Sequence, residues 1–377
     1  MRVAFDATAA AWQIAGIGRS GRGLLKALPD ACRQLEIKAF YSGFRRSGLL
    51  EDGVLEGVWS GTRIPLHPRI SFALWHKLRL PVPVELFAGR FDILHSPDFV
   101  LPPSICDRRI VTIHDLTYLT HPQTAVPSLR KHLEKSVERS VASADRIIAV
   151  STETAVQITK HYGVPSSSID VIYNGIDTKF LRVPCREAID FVRGRYSLPE
   201  RFVLVVGTLQ PRKNLLKVVE AVKLIRQTHG DLGLIHVGPR GWISEKDLSD
   251  IVAQGQGFLQ LLGPVPDAQL PAIYSQAVMT AAVSLAEGFM LPIVESMAVG
   301  TPVITSNTSC MPEIAGGAAM LVDPLDEKSI ADSIEALIDD NGLHEDLVAR
   351  GKIRSAGFSW REAAEKTVDC YQKVLSE

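Results

Sequence analysis

A chain of 377 residues has room for two or three domains' worth of sequence and for large buried cores. Its 46% hydrophobic and 22% charged residues are the balance of a soluble globular protein, and 41 Lys+Arg against 42 Asp+Glu, net −1, exclude a broad nucleic-acid-binding face. The cysteines Cys32, Cys106, Cys185, Cys310 and Cys370 are scattered with no C-x-x-C pair, which speaks against a zinc site and for a reducing, cytoplasmic compartment. Asp6 breaks the first apolar run and Arg19 and Arg22 soon follow, so no secretory leader is expected; no apolar run reaches the length of a membrane span.

Arg2–Asp6 reads as a first strand, followed by a small-residue loop, Gly16-Ile-Gly18-Arg-Ser-Gly21 and a helix to about Leu28. The glycines match G-x-G-x-x-G, but Ala7–Ala15 separates them from the strand, and the second strand, Ile37–Tyr41, ends without the acidic residue that would hold a ribose. A nicotinamide dehydrogenase is therefore disfavoured. The glycines then read either as a loop whose N–H groups meet a phosphate at a helix N-terminus or as an active-site edge without a ligand.

Thr62–Leu80 mixes Arg63, Arg69, Lys77 and Arg79 with Ile70, Phe72, Leu74, Trp75 and Leu78. That composition suits a peripheral contact with a membrane surface, and equally an ordinary helix packed on the N-terminal sheet. Phe91–Leu94 and Arg109–Ile113 are strands ending in His95 and in His114-Asp115, where open α/β sheets present residues to ligands. Asp115 reads as a cap for the next helix. Leu129–Ala144 is a charged helix, Asp145–Val150 a strand, and Ser151 starts another helix; Asp170–Asp177 closes the first half. Arg182–Glu200 is a polar connector.

Arg201–Val206 opens a second βα series. After it, Gly207-Thr-Leu-Gln-Pro-Arg-Lys-Asn214 leads into a helix with apolar positions at Leu215, Val218, Val219, Val222 and Ile225. Two cations, Arg212 and Lys213, at a helix start oppose the macrodipole; a bound anion would explain them better than stability does. Gly233–Val237, Phe258–Leu262, Thr301–Thr305 and Ala319–Val322 add strands, and Trp360–Leu375 is a terminal helix. Val278–Leu285 reads as a buried strand leading into Glu287-Gly-Phe-Met-Leu-Pro-Ile-Val-Glu295, with Pro292 suited to a first helical position and Gly300 to the cap beyond the last turn. Glu287 is thus expected at a strand end and Glu295 in the first turn of the next helix.

Glu287–Glu295 resembles the E-G-F-G-L-P-x-x-E signature of glycosyltransferase family 4, retaining enzymes of the GT-B fold, with Met290 where that family often has glycine. Gly207–Asn214 is similar to its G-T-L-E-P-R-K-N loop, with Gln210 for glutamate. The resemblance implies an α/β chain with two Rossmann-like domains of parallel sheet facing a central cleft. It implies an acceptor-side domain over 1–180, a connector over 181–200, a donor-side domain over 201–359 and a helix over 360–377 crossing back. By the same resemblance Arg212 and Lys213 hold the donor diphosphate, Glu295 the ribose and Glu287 the donor sugar. His114 meets the sugar or reacting centre, and Gly16 and Gly18 approach the pyrophosphate. Gly207, Phe289, Met290 and Leu291 complete the donor site, and His95 is an acceptor-side candidate.

A pair of glutamates also suggests a glycosidase, but Arg-Lys at a helix start is a phosphate device, so a nucleoside diphosphate is the expected leaving group. The chain has no D-x-D, and the two cations can take the place of a metal; no metal or other cofactor is expected. The expected activity is retaining, metal-independent transfer of a sugar from a nucleoside diphosphate to a glycan or lipid-linked glycan. The form G-T-L-x-P-R-K-N resembles mannosyltransferases of bacterial polysaccharide assembly, which puts GDP-mannose first and a UDP-sugar second. A GT-B-like sugar-nucleotide epimerase and a non-catalytic binding protein are the alternatives. The expected location is cytoplasmic, with peripheral contact at the inner face of the membrane left open.

Overall fold

The computed structural model describes residues 1–376 apart from 46, 48–49, 51–57, 59 and 79. It comprises two compact units, Met1–Gly175 with Ser359–Glu377, and Ile176–Phe358.

The first unit is built on a seven-stranded sheet of β1 (Arg2–Asp6), β2 (Glu36–Ser42), β3 (Ser60–Ile64), β4 (Ile93–Ser96), β5 (Arg109–Ile113), β6 (Arg146–Ala149) and β7 (Ile169–Val171). Its order is β3-β2-β1-β4-β5-β6-β7 and every pairing is parallel. Strand order reverses between β1 and β4, the position at which such sheets open a crevice. The segment Ala7–Ala15 carries a short helix, Thr8–Trp12, in place of the expected loop. Ala9, Ala10 and Ala11 are all buried, so helix packing absorbs what the small residues suggested as a loop. The glycine-rich helix runs on to Ala31. Helix Trp360–Ser376 belongs to this unit: Val368, Tyr371 and Val374 share a core with Val3, Phe5 and Leu25.

The stretch 62–80 is not one helix. It takes up most of β3, then a turn of α-helix at Pro68–Phe72 and a π-helical segment at Ala73–Lys77. Trp75 is buried, whereas Ile70 and Leu78 are exposed. Arg79 and the side chains of Arg69, Phe72 and Lys77 lie outside the described residues. Among the described residues no helix is long and apolar enough to cross a membrane.

The second unit carries a six-stranded sheet of β8 (Phe202–Val206), β9 (Gly233–Val237), β10 (Leu259–Gly263), β11 (Met279–Ala282), β12 (Val303–Ser306) and β13 (Met320–Val322). The order is β10-β9-β8-β11-β12-β13, again all parallel, with the reversal between β8 and β11. Continuous apolar strands such as Phe202-Val-Leu-Val-Val206 follow from a sheet covered on both faces. Helix Leu215–Ile225 buries Leu215, Val218, Val219, Val222 and Ile225, the stripe its spacing predicts. Residues 181–200, expected as a connector, lie within this unit and form helix Arg186–Tyr196, with Val192 buried. Its charged outer face disguised a helix as linker.

Candidate active site

β8 and β11 are parallel neighbours, paired through Val203–Met279 and Leu204–Thr280, so the loops after them leave the same edge of the sheet. After β8 the chain turns through Pro211–Lys213 as a 3-10 turn, and Asn214 takes a left-handed conformation before helix Leu215–Ile225. The two cations therefore precede that helix rather than form its first turn. After β11 the chain runs through Glu287 to helix Leu291–Val299. Backbone contacts join the loops: Leu285 N–H donates to Arg212 O at 2.9 Å, and Arg212 Nη1 to Ala286 O at 2.6 Å.

Both cations meet Glu287. Arg212 Nη1 lies 2.5 Å from Oε2 and Lys213 Nζ 2.7 Å from Oε1, with all three side chains nearly buried. Lys213 thus meets Oε1 as a close ion pair. Burial pushes the Glu287 carboxyl up, but the charges and bonds of Arg212 and Lys213 outweigh it and hold the group at about 2. Glu287 is thus ionised at neutral pH and cannot serve as the proton-donating member of a glycosidase pair. It also supplies an anion of the protein's own for two cations that the sequence left without one. Within this triad one carboxylate faces two cations.

Hydroxyl side chains that the sequence reading missed fix the Glu287 loop. Thr305, Ser306, Thr308 and Ser309 donate to the carbonyls of Ala282, Ser284, Leu285 and Glu287. Ser309 Oγ also accepts from Glu287 N–H at 3.2 Å, so both backbone groups of Glu287 are held by one hydroxyl. The one trace in the sequence was a run of hydroxyl residues after an apolar strand. His236 on β9 was missed as well. Burial lowers it to about 4, against a raising backbone hydrogen bond with Gly207 and helped by the charge of Lys213; among the described residues its buried Nε2 has no hydrogen bond.

Glu295 is not in a first turn. The helix starts at Leu291, which makes Glu295 its fifth residue; it is 1% exposed, and Tyr274 Oη donates to its Oε2 at 2.9 Å. Gly300 ends that helix in the left-handed conformation expected of it. Phe289 is buried edge-to-face against Phe358, a core contact, while Leu291 is partly exposed. Met290 is buried and left-handed, with φ 68°. Gly207 admits a close approach: a Cβ there would lie 3.1 Å from Lys213 Cε.

In the first unit, His114 follows β5 and Nε2 sits 2.7 Å from Pro97 O. Burial keeps the ring neutral, so Nε2–H donates to that carbonyl and Nδ1 is the bare acceptor. Asp115 accepts from Thr117 N–H and Oγ1 at the start of helix Thr117–Thr120, a capping role. His95 does not fit an acceptor role: it is fully buried, with Nδ1 2.7 Å from Tyr371 Oη and Nε2 2.9 Å from Thr112 Oγ1. Burial holds it down at about 3, so it is a neutral core histidine. Gly16 begins helix Gly16–Ala31 with open space around it, whereas a Cβ at Gly18 would lie 1.9 Å from Gln13 O. Packing alone therefore requires glycine at Gly18.

Two parallel doubly-wound sheets, with cations and a carboxylate gathered at the strand ends of the second, are the parts from which a glycosyltransferase of GT-B fold is built. The comparisons make this particular. Residues 14–180 match Glycosyltransferase Family 4 and residues 189–354 match Glycosyl transferases group 1. Each half of the chain thus carries one of these two glycosyltransferase domains. It is 29% identical to O-antigen chain mannosyltransferase B of Escherichia coli, over 99% of this chain and 100% of that one. It is 26% identical to the serotype-specific mannosyltransferase WbdA of Escherichia coli, over 71% of this chain and 34% of that one. Among solved structures, Anabaena Alr3699/HepE in complex with UDP and glucose superposes with a TM-score of 0.76 at 17% identity, over 99% of this chain and 100% of that one.

Proposed function

We propose that the protein transfers mannose from GDP-mannose to a glycan or lipid-linked glycan, with retention at the anomeric carbon and without a metal ion. The observation that carries the reading is the convergence of Arg212 and Lys213 on Glu287 where β8 and β11 end. A diphosphate arriving there meets two cations in a largely desolvated place, where charge-assisted bonds are strongest. The same two cations stabilise the charge that develops on the leaving diphosphate, the task a metal performs elsewhere.

Glu287, held ionised, accepts a sugar hydroxyl at a carboxylate lone pair beside those that face the two cations. His114, neutral, offers Nδ1 to a second hydroxyl. Glu295 keeps the ribose role, which requires its carboxylate to exchange Tyr274 for the sugar. Retention would follow from attack by the acceptor on the face the diphosphate leaves. Mannose is favoured by the two Escherichia coli relatives, both mannosyltransferases.

The test is a panel of GDP-mannose and UDP-sugars with EDTA present, product configuration read by NMR. Transfer from GDP-mannose with the α configuration kept supports the reading. Transfer from a UDP-sugar alone moves the donor assignment, loss of activity to EDTA with rescue by Mg²⁺ or Mn²⁺ removes the metal-free mechanism, and an epimerised nucleotide formed without acceptor removes the transferase. Replacing Arg212 and Lys213 together with Ala should weaken GDP binding at least ~100-fold, at roughly 1.5–3 kcal/mol for each charged hydrogen bond.

A further inference from the structure

Met290 stands where the resembling motif has glycine, and its backbone shows why glycine suits the place. At φ 68° and ψ 65° it is left-handed, a conformation disfavoured for any residue that carries a Cβ. Such a conformation persists only where the surroundings fix it, and it gathers at functional sites.

The side chain ends on Lys213. Met290 Sδ lies 3.4 Å from Lys213 Nζ and 3.9 Å from the Ser284 hydroxyl. Lys213 is closed in elsewhere too: the Gly207 backbone lies against its stem, and Glu287 Oε1 is 2.7 Å from its ammonium. Among the described residues the ammonium makes no other ion pair or hydrogen bond. A thioether is polarizable and a weak acceptor, so it can hold an ammonium in place without neutralising it.

The geometry points to Met290 as a positioning residue for Lys213: its thioether keeps the ammonium beside Glu287, still charged and ready for a diphosphate, at the cost of a strained backbone. This rests on the nucleoside diphosphate reading above. A glycine there would relax the backbone but leave Lys213 to be ordered at each binding event. Affinity should therefore follow the acceptor at position 290 and not its volume, which a merely space-filling methionine would not produce.

Calorimetric titration of GDP and UDP, with melting temperatures, on wild type, M290G, M290L and M290Q tests it. M290G is expected to bind roughly five- to tenfold more weakly. M290L, of similar volume but without an acceptor, should weaken binding as M290G does; M290Q, whose side-chain carbonyl can accept from Lys213, should stay within about twofold of wild type. M290L also covers a glycine variant that fails to fold. Wild-type affinity in M290G or M290L overturns the inference, as does equal weakening in all three. The double Ala variant of Arg212 and Lys213 separates the two levels. If it loses a binding that the Met290 variants keep, only this inference falls; if wild type binds neither GDP nor UDP, the reading and the inference fall together.

Discussion

Glu287 can be tested through its charge. Its carboxyl sits at about 2 in the folded protein against an ordinary 4.5, so the stability it contributes is fully present above about 4.5 and is lost as pH falls towards 2. Glu287→Gln leaves Arg212 and Lys213 facing an uncharged amide in a nearly buried place and should cost about 3 kcal/mol at pH 7. The gap between wild type and variant, measured by urea unfolding, should close between pH 4.5 and pH 2; a gap independent of pH would mean that the ion pairs do not hold Glu287. The same variant should lose kcat more than it gains KM, because the sugar contact is made chiefly in the transition state. Ser309 offers a second test. Its hydroxyl holds both backbone groups of Glu287, so Ser309→Ala should cost about 1–2 kcal/mol and lower kcat without moving GDP affinity. Unchanged kcat in that variant would reduce Ser309 to a fold contact.

At the scale of elements, the site is two strand–loop–helix units side by side. The apolar runs of β8 and β11, the Pro292 and Gly300 boundaries and the Arg212–Lys213 pair were all legible, because each is a local pattern with a local cause. Glu295 was misplaced because the left-handed Met290 lets the helix begin at Leu291, pushing the carboxylate into the second turn and against Tyr274. Two outcomes separate its roles. If it binds a ribose, Glu295→Gln weakens GDP and UDP about tenfold, the equivalent of ~1.4 kcal/mol. If it serves only Tyr274, the variant lowers the melting temperature and leaves nucleotide affinity as it was. The short helix Thr8–Trp12 and the helix Arg186–Tyr196 were missed for a related reason: small residues and charged faces mask helical periodicity.

At the scale of the whole chain, the last helix, Trp360–Ser376, completes the core of a unit whose other residues end at Gly175. Gly23 and Gly175 both admit Trp360 closely; a Cβ at Gly23 would lie 2.1 Å from its indole. Gly23→Ala should therefore destabilise the first unit by about 1–3 kcal/mol through overpacking, with GDP affinity untouched. Lys373 reaches Asp170 at 2.7 Å, and Tyr371 reaches His95. Tyr371→Phe removes the hydroxyl partner of a buried histidine and should cost about 1–3 kcal/mol while leaving acceptor KM unchanged. A raised acceptor KM with an unchanged melting temperature would return His95 to the acceptor side.

By itself the sequence determined the two parallel βα series and the identities of Glu287, Arg212 and Lys213, since apolar periodicity and motif spacing are properties of neighbouring residues. Tertiary structure alone decided which charges meet. Pairing β8 with β11 sets the Arg212–Lys213 turn against the Glu287 loop and holds Glu287 ionised; packing turns Glu295 onto Tyr274 and, in the first unit, sets His95 against Tyr371 of the last helix. Strand order is fixed by how sheets pack, and no local pattern of residues encodes it.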